Sequence, residues 1–128
     1  MYPLIGKNVY VDYGFSKFLL KFVDETVLKI EGMLGDKEVK EIVEYSTVLV
    51  DNGIYMVYWF EPVAKTLVTQ TQNLNNMRVY SNILILPTTE FFHYKGKLTI
   101  MKEENQDSRR SDNNKKEKTI KNINTEQK

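Results

Sequence analysis

The chain contains no cysteine and a single histidine, His93, in 128 residues. Without cysteine there are no disulfide staples, thiolate nucleophiles or thiolate metal sites. His93 stands beside Phe91, Phe92 and Tyr94 with no second ligand nearby, so no metal is expected. Net charge is nearly absent as well. Eighteen basic residues balance seventeen acidic ones, which argues against a broad nucleic-acid or anionic-membrane surface. No apolar run approaches the ~20 residues of a membrane helix. The opening segment, Met1 to Tyr13, carries Lys7 and Asp12 and lacks the charged, apolar and small-residue regions of a secretory signal. A soluble cytoplasmic protein is expected. The glycines are isolated, with no phosphate loop, dinucleotide fingerprint, nucleophile elbow or HExxH pair, so no cofactor is expected.

Aromatic residues, by contrast, are plentiful: eight Tyr, six Phe and one Trp. Together with Val, Ile and Thr they fill runs punctuated by turn residues, the pattern of short strands. Strands are predicted near 8–12, 16–23, 26–31, 38–50, 54–61, 65–72, 77–86 and 89–101, the last with a break at Lys95–Gly96. The strongest hairpin signal is Asn52–Gly53, read as a type I′ turn between β-rich flanks. Tyr13–Gly14 is a weaker turn, Pro62 and Pro87 end strands, and 73–76 is a polar loop. Gly35 to Ile42 could pass for an amphipathic turn, but its β-branched and aromatic continuation favours a strand. About eight strands in a meander predict an all-β, antiparallel up-and-down barrel over 1–102, because closure removes exposed edges. Such a barrel can be filled or can hold one small ligand. Beyond Lys102 the chain is polar, with Ile120 and Ile123 its only apolar residues, and 103–128 reads as a disordered tail. Arg109, Arg110, Lys115 and Lys116 could form a docking or RNA-touching arm, but interspersed acids favour a solvated segment, and no nucleic acid is expected as partner.

Side chains alternate across a strand. In 54–61 one face carries Tyr55, Val57, Trp59 and Glu61, the other Ile54, Met56, Tyr58 and Phe60. A barrel wall facing water should be polar on one side, so something should cover the outer face. The candidates are the N-terminal segment around Tyr2 to Ile5 or another subunit, and a homodimer is expected. In 77–86, Arg78, Tyr80 and Asn82 share a face. If both of these faces point inward, an aromatic lumen holds Glu61, Arg78 and several hydroxyls: apolar walls with a few convergent polar groups. Arg78 would grip a ligand carboxylate through paired hydrogen bonds. Glu61, desolvated among aromatics, would have a raised pKa. The competing reading pairs Arg78 with Glu61, or leaves both in water at the rim.

Several segments resemble a known family. Asp51–Asn52–Gly53–Ile54–Tyr55–Met56–Val57–Tyr58–Trp59–Phe60–Glu61–Pro62 is similar to the "dG-x-Y-x-(V/I)-x-W-x-E" signature of the MoaF-like calycins. Met77 to Ile83 resembles that family's "VYTNI" strand, Phe91 to Leu98 its closing "F-x-x-x-G-x-L", and Leu4 to Lys7 its opening. The matches fall in order across most of 1–102 and imply a lipocalin-like barrel. The family's name links it to molybdenum cofactor biosynthesis, although no residue pattern here supports a pterin or a metal. The Trp-x-Glu-Pro pattern also resembles the phenolic acid decarboxylases, another calycin barrel. That resemblance implies a catalytic role for Glu61, with Tyr10 as a substrate-orienting tyrosine. The decarboxylases' upstream arginine has no counterpart: 35–50 holds lysines but no arginine.

Three functions follow. One is a small-molecule-binding barrel with Glu61, Arg78, Tyr55, Trp59, Tyr80 and Asn82 lining the pocket, for an apolar or aromatic and potentially acidic organic ligand. Another is a small lyase or isomerase using Glu61 as acid/base with Tyr10. The third is a filled barrel that serves as a protein-interaction module.

Overall fold

A computed structural model describes residues 1–34 and 36–101. The tail expected at 103–128, with its basic arm, lies outside the described residues. Eight antiparallel strands follow in order: β1 (Asn8–Asp12), β2 (Lys17–Phe22), β3 (Val27–Leu34), β4 (Lys37–Asp51), β5 (Ile54–Glu61), β6 (Thr66–Asn73), β7 (Arg78–Ile85) and β8 (Glu90–Ile100). Each pairs with its sequence neighbours, and β1 pairs with β8, which closes the barrel. The seam runs from Val9↔Ile100 to Asp12↔Lys97. No described residue lies in a helix, so no helix is long and apolar enough to cross a membrane.

Two local expectations change. Gly53 takes positive φ (+76°) but Asn52 does not, so the turn is not type I′, which needs positive φ at both central residues. The extra residue is absorbed instead by a register shift between Leu49 and Asp51. Lys95–Gly96 is not a break either: β8 runs through it, with Gly96 opposite Val79. Glycine is needed there for close approach, since a Cβ would lie 2.5 Å from the Asp12 carbonyl oxygen. The stretch from Lys37 onward is strand, as its β-branched residues favour.

Alternation places the core inside the barrel. Val9, Val11, Leu20, Phe22, Leu28, Ile30, Val57, Val68, Val79 and Leu98 are all buried. The two ends differ. At the end where β1 begins, the N-terminal segment folds across the opening, held by Gly6 N–H donating to the Phe22 carbonyl and Lys7 N–H to the Leu4 carbonyl. It drives Leu4 (1% exposed) and Tyr2 (6%) into the barrel. The Tyr2 ring meets Phe22 and Tyr55 edge-on, at centroid distances of 5.1 and 5.2 Å. Thus the N-terminal segment plugs an end of the barrel and does not cover the outer face of β5. Tyr58 and Phe60 remain exposed there.

Candidate functional site

Toward the opposite end the core opens into a cavity of about 50 Å³, bounded by apolar side chains that include Phe18, Ile30, Leu34 and Val39. Four polar side chains reach it: Tyr13, Glu61, Thr66 and Gln70. Glu61 ends β5 on the inner face, where Pro62 stops the strand, and is 6% exposed. One of its oxygens accepts a hydrogen bond from Trp59 Nε1 at 2.7 Å, two residues back on the same face. Burial pushes the Glu61 carboxyl above its ordinary range; the Trp59 hydrogen bond pulls it down, and Glu41 pushes it further up. Glu41, inward on β4, accepts the backbone N–H groups of Val63 and Ala64 and so pins the β5–β6 loop at the mouth.

A chain of hydrogen bonds links this cavity to the plugged end. Tyr2 Oη donates to Gln72 Oε1, Gln72 Nε2 donates to Gln70 Oε1 (3.0 Å), and Gln70 Nε2 donates to Tyr13 Oη (3.2 Å). Tyr13 Oη also lies 2.6 Å from Ser81 Oγ. Gln70 and Gln72 are 2% and 0% exposed, so every one of these groups depends on its neighbour for a partner. Burial pushes the Tyr13 hydroxyl upward, the hydrogen bonds to Ser81 and Gln70 oppose that, and the Glu61 charge adds to it. Among the described residues no three potential metal ligands come together.

The expected site residues separate into two sets. Glu61 and Trp59 line the cavity. Tyr55 shares their face but packs at the plugged end against Tyr2. Arg78, Tyr80 and Asn82 point outward, because the inner face of β7 carries Val79, Ser81 and Ile83. The register explains this: buried Gln72 pairs with Val79, and paired residues project to the same side. Arg78 therefore neither meets Glu61 nor enters the lumen. With Tyr80, Lys95, Lys97 and Asp12 it lines an open groove of about 480 Å³ on the outer wall. Tyr10 likewise points outward between the buried Val9 and Val11, and Tyr13 is the tyrosine that shares the cavity with Glu61. His93, opposite Asn82 on the outer wall, holds that side chain through Nδ1 at 2.6 Å.

An antiparallel meander of eight strands, closed on itself around a partly filled lumen, defines a calycin-like β-barrel protein. The MoaF-like family profile matches residues 5–99, and the chain belongs to the MoaF-like family. Its fold is similar to the crystal structure of a protein from Burkholderia vietnamiensis, provisionally described as a beta-lactamase. That structure superposes with a TM-score of 0.70 at 20% identity, covering 77% of this chain and 96% of the other. At this identity the likeness is one of fold. No curated protein sequence matches the chain significantly.

Proposed function

We propose that the protein is a small-molecule-binding barrel whose lumenal site is anchored by Glu61. The observation that carries this reading is a carboxylate buried in a mainly apolar cavity whose other polar side chains are Tyr13, Thr66 and Gln70, with Trp59 the hydrogen-bond donor to one of its oxygens. Burying a carboxylate in this way opposes folding, and such groups cluster at functional sites. The second oxygen is the natural partner for a ligand N–H or O–H. The cavity is well below the ~300–1,000 Å³ typical of sites for drug-sized molecules. The ligand is therefore compact, with an apolar body and a donor group directed at Glu61. An acidic ligand held by Arg78 does not fit this arrangement, since Arg78 lies on the outer wall.

Native mass spectrometry of the protein purified from its host, beside the Glu61→Gln variant, tests the reading. The expected result is a stoichiometric added mass in the wild type that the variant loses. A wild type that carries nothing, or an adduct indifferent to the substitution, removes Glu61 from the role. One observation favours a second, catalytic reading: Tyr13 and Glu61 face the same cavity, giving an acid/base pair of the kind a lyase or isomerase needs. In that case Tyr13, in place of Tyr10, orients the substrate.

A further inference from the structure

The outer wall carries a feature that the lumenal site does not use. The strand registers place Phe60 opposite Leu67, Leu67 opposite Leu84, and Leu84 opposite Phe91. These four side chains form one unbroken row across β5, β6, β7 and β8. Phe60, Leu67 and Phe91 are 42%, 42% and 56% exposed. Tyr58 and Leu86, both partly exposed, border the row. The next row along the wall is Tyr58, Thr69, Asn82 and His93. Neither row contains a lysine, arginine or carboxylate. The polar pair in the second row, Asn82 and His93, shares one 2.6 Å hydrogen bond, which leaves Asn82 Nδ2 and His93 Nε2 to be met by water at the rim of a contact.

We propose that this face is the contact surface for a second copy of the chain, packed wall to wall about a two-fold axis. Closure of the barrel leaves no open strand edge among the described residues, so association of the barrels proceeds through a face. A two-fold contact sets each patch against its own copy, and a patch without fixed charge does not repel itself. Size agrees with this. At ~200 Å² for a whole aromatic side chain, and somewhat less for leucine, the six side chains expose roughly 450 Å² per copy. That lies at the middle of the ~300–600 Å² range for the largest apolar patch on a monomer, patches that are often functional. Two copies supply about 900 Å² of mainly apolar surface. At the ~65% apolar share of homodimer interfaces, this corresponds to a contact of about 1,400 Å², inside the range of specific stable interfaces.

Sedimentation velocity of the full chain over a wide concentration range tests the proposal, using wild type, Leu67→Lys, Phe91→Lys and Leu49→Lys. All three substituted side chains are exposed, and circular dichroism verifies that each variant keeps the barrel. The wild type is expected to sediment as a dimer. Leu67→Lys and Phe91→Lys each weaken it by about 100-fold in dissociation constant, the size of an interface hot spot. Leu49→Lys, an equally exposed apolar position outside the row, leaves the dimer unchanged. A wild type that stays monomeric throughout, including one that instead co-sediments with lipid vesicles, overturns the proposal. So does a dimer that survives both row substitutions.

Discussion

The N-terminal plug gives the sharpest quantitative prediction. Tyr2→Phe removes one oxygen and keeps the ring against Phe22 and Tyr55. Gln72 Oε1 then loses its donor at a position with 0% exposure, where no bulk water replaces it. Leaving a buried acceptor unsatisfied costs about 1–3 kcal/mol. Gln72 is held by Gln70, and Gln70 by Tyr13, so rotation of Gln72 to recover a partner would break its next bond. Tyr2→Ala adds the loss of the ring, for a total of about 3–5 kcal/mol. In a domain of this size each kcal/mol lowers Tm by roughly 4–8 °C. Urea unfolding followed by fluorescence of Trp59, the single tryptophan, measures both variants on one scale. If Tyr2→Phe falls within a few tenths of a kcal/mol of wild type and Tyr2→Ala costs less than about 1 kcal/mol, the segment is not a plug.

Three other outcomes are expected. Because folding raises the Glu61 pKa above its ordinary value of 4.5, the penalty for its charge is absent below that pH, where the carboxyl is protonated in both states. The penalty grows as pH rises through the folded pKa, so Glu61→Gln should be more thermostable than wild type at neutral pH, with the gap closing in acid; differential scanning calorimetry across pH checks this. Asp24 has the opposite sign: backbone N–H groups of Thr26 and Val27 hold its pKa below 3.8, so it stabilises the β2–β3 turn above that value and ceases to do so as pH falls through the lowered pKa. Asp24→Ala should lower neutral-pH stability and flatten the acid limb of the same profile. Gly96→Ala forces a Cβ against the Asp12 carbonyl and should destabilise by about 1–3 kcal/mol in urea melts, with the β1–β8 amides losing most hydrogen-exchange protection.

Strand positions were legible because β-branched and aromatic runs alternate with turn residues, and predicted and observed strands agree within a few residues throughout. The inward phase of β5 was also legible, since Glu61 and Trp59 fall on one side of a strand that Pro62 ends. The phase of β7 was not. Its faces differ, with Val79, Ser81, Ile83 and Ile85 on one side and Arg78, Tyr80, Asn82 and Leu84 on the other, but a lumen that holds polar groups admits either. What sets Val79 inward is the pairing of Gln72 with Val79 across a loop whose length and shape fix the register. Arg78 consequently seemed a lumenal candidate when it belongs to the outer wall. The hydrogen-bond chain was missed for a related reason: Gln70 and Gln72 lie on a strand with threonines on its other face, and composition does not say which polar face is buried. Tyr2 and Tyr13 lie outside regular strands, where alternation offers no guide. The signal that could have found the glutamines was parity carried across the short β5–β6 loop, from Glu61 to its register partner Thr66 and on to Val68.

The meander also shapes how the chain reaches its fold. Seven of the eight strand pairings join neighbours linked by short turns, so each hairpin can zip with little loss of loop entropy. Only the β1–β8 seam joins distant parts of the chain, and it is short, at four residue pairs. That seam is the natural late event in folding, and the rest of the sheet can exist as an open, curling ribbon before it forms. Because β1 begins and β8 ends at the same rim, with the Met101 N–H donating to the Asn8 carbonyl, the chain could be joined there and reopened at another turn. A permuted chain cut at Asn52–Gly53 would convert the late seam into a local hairpin and so move the slow step elsewhere in the sheet.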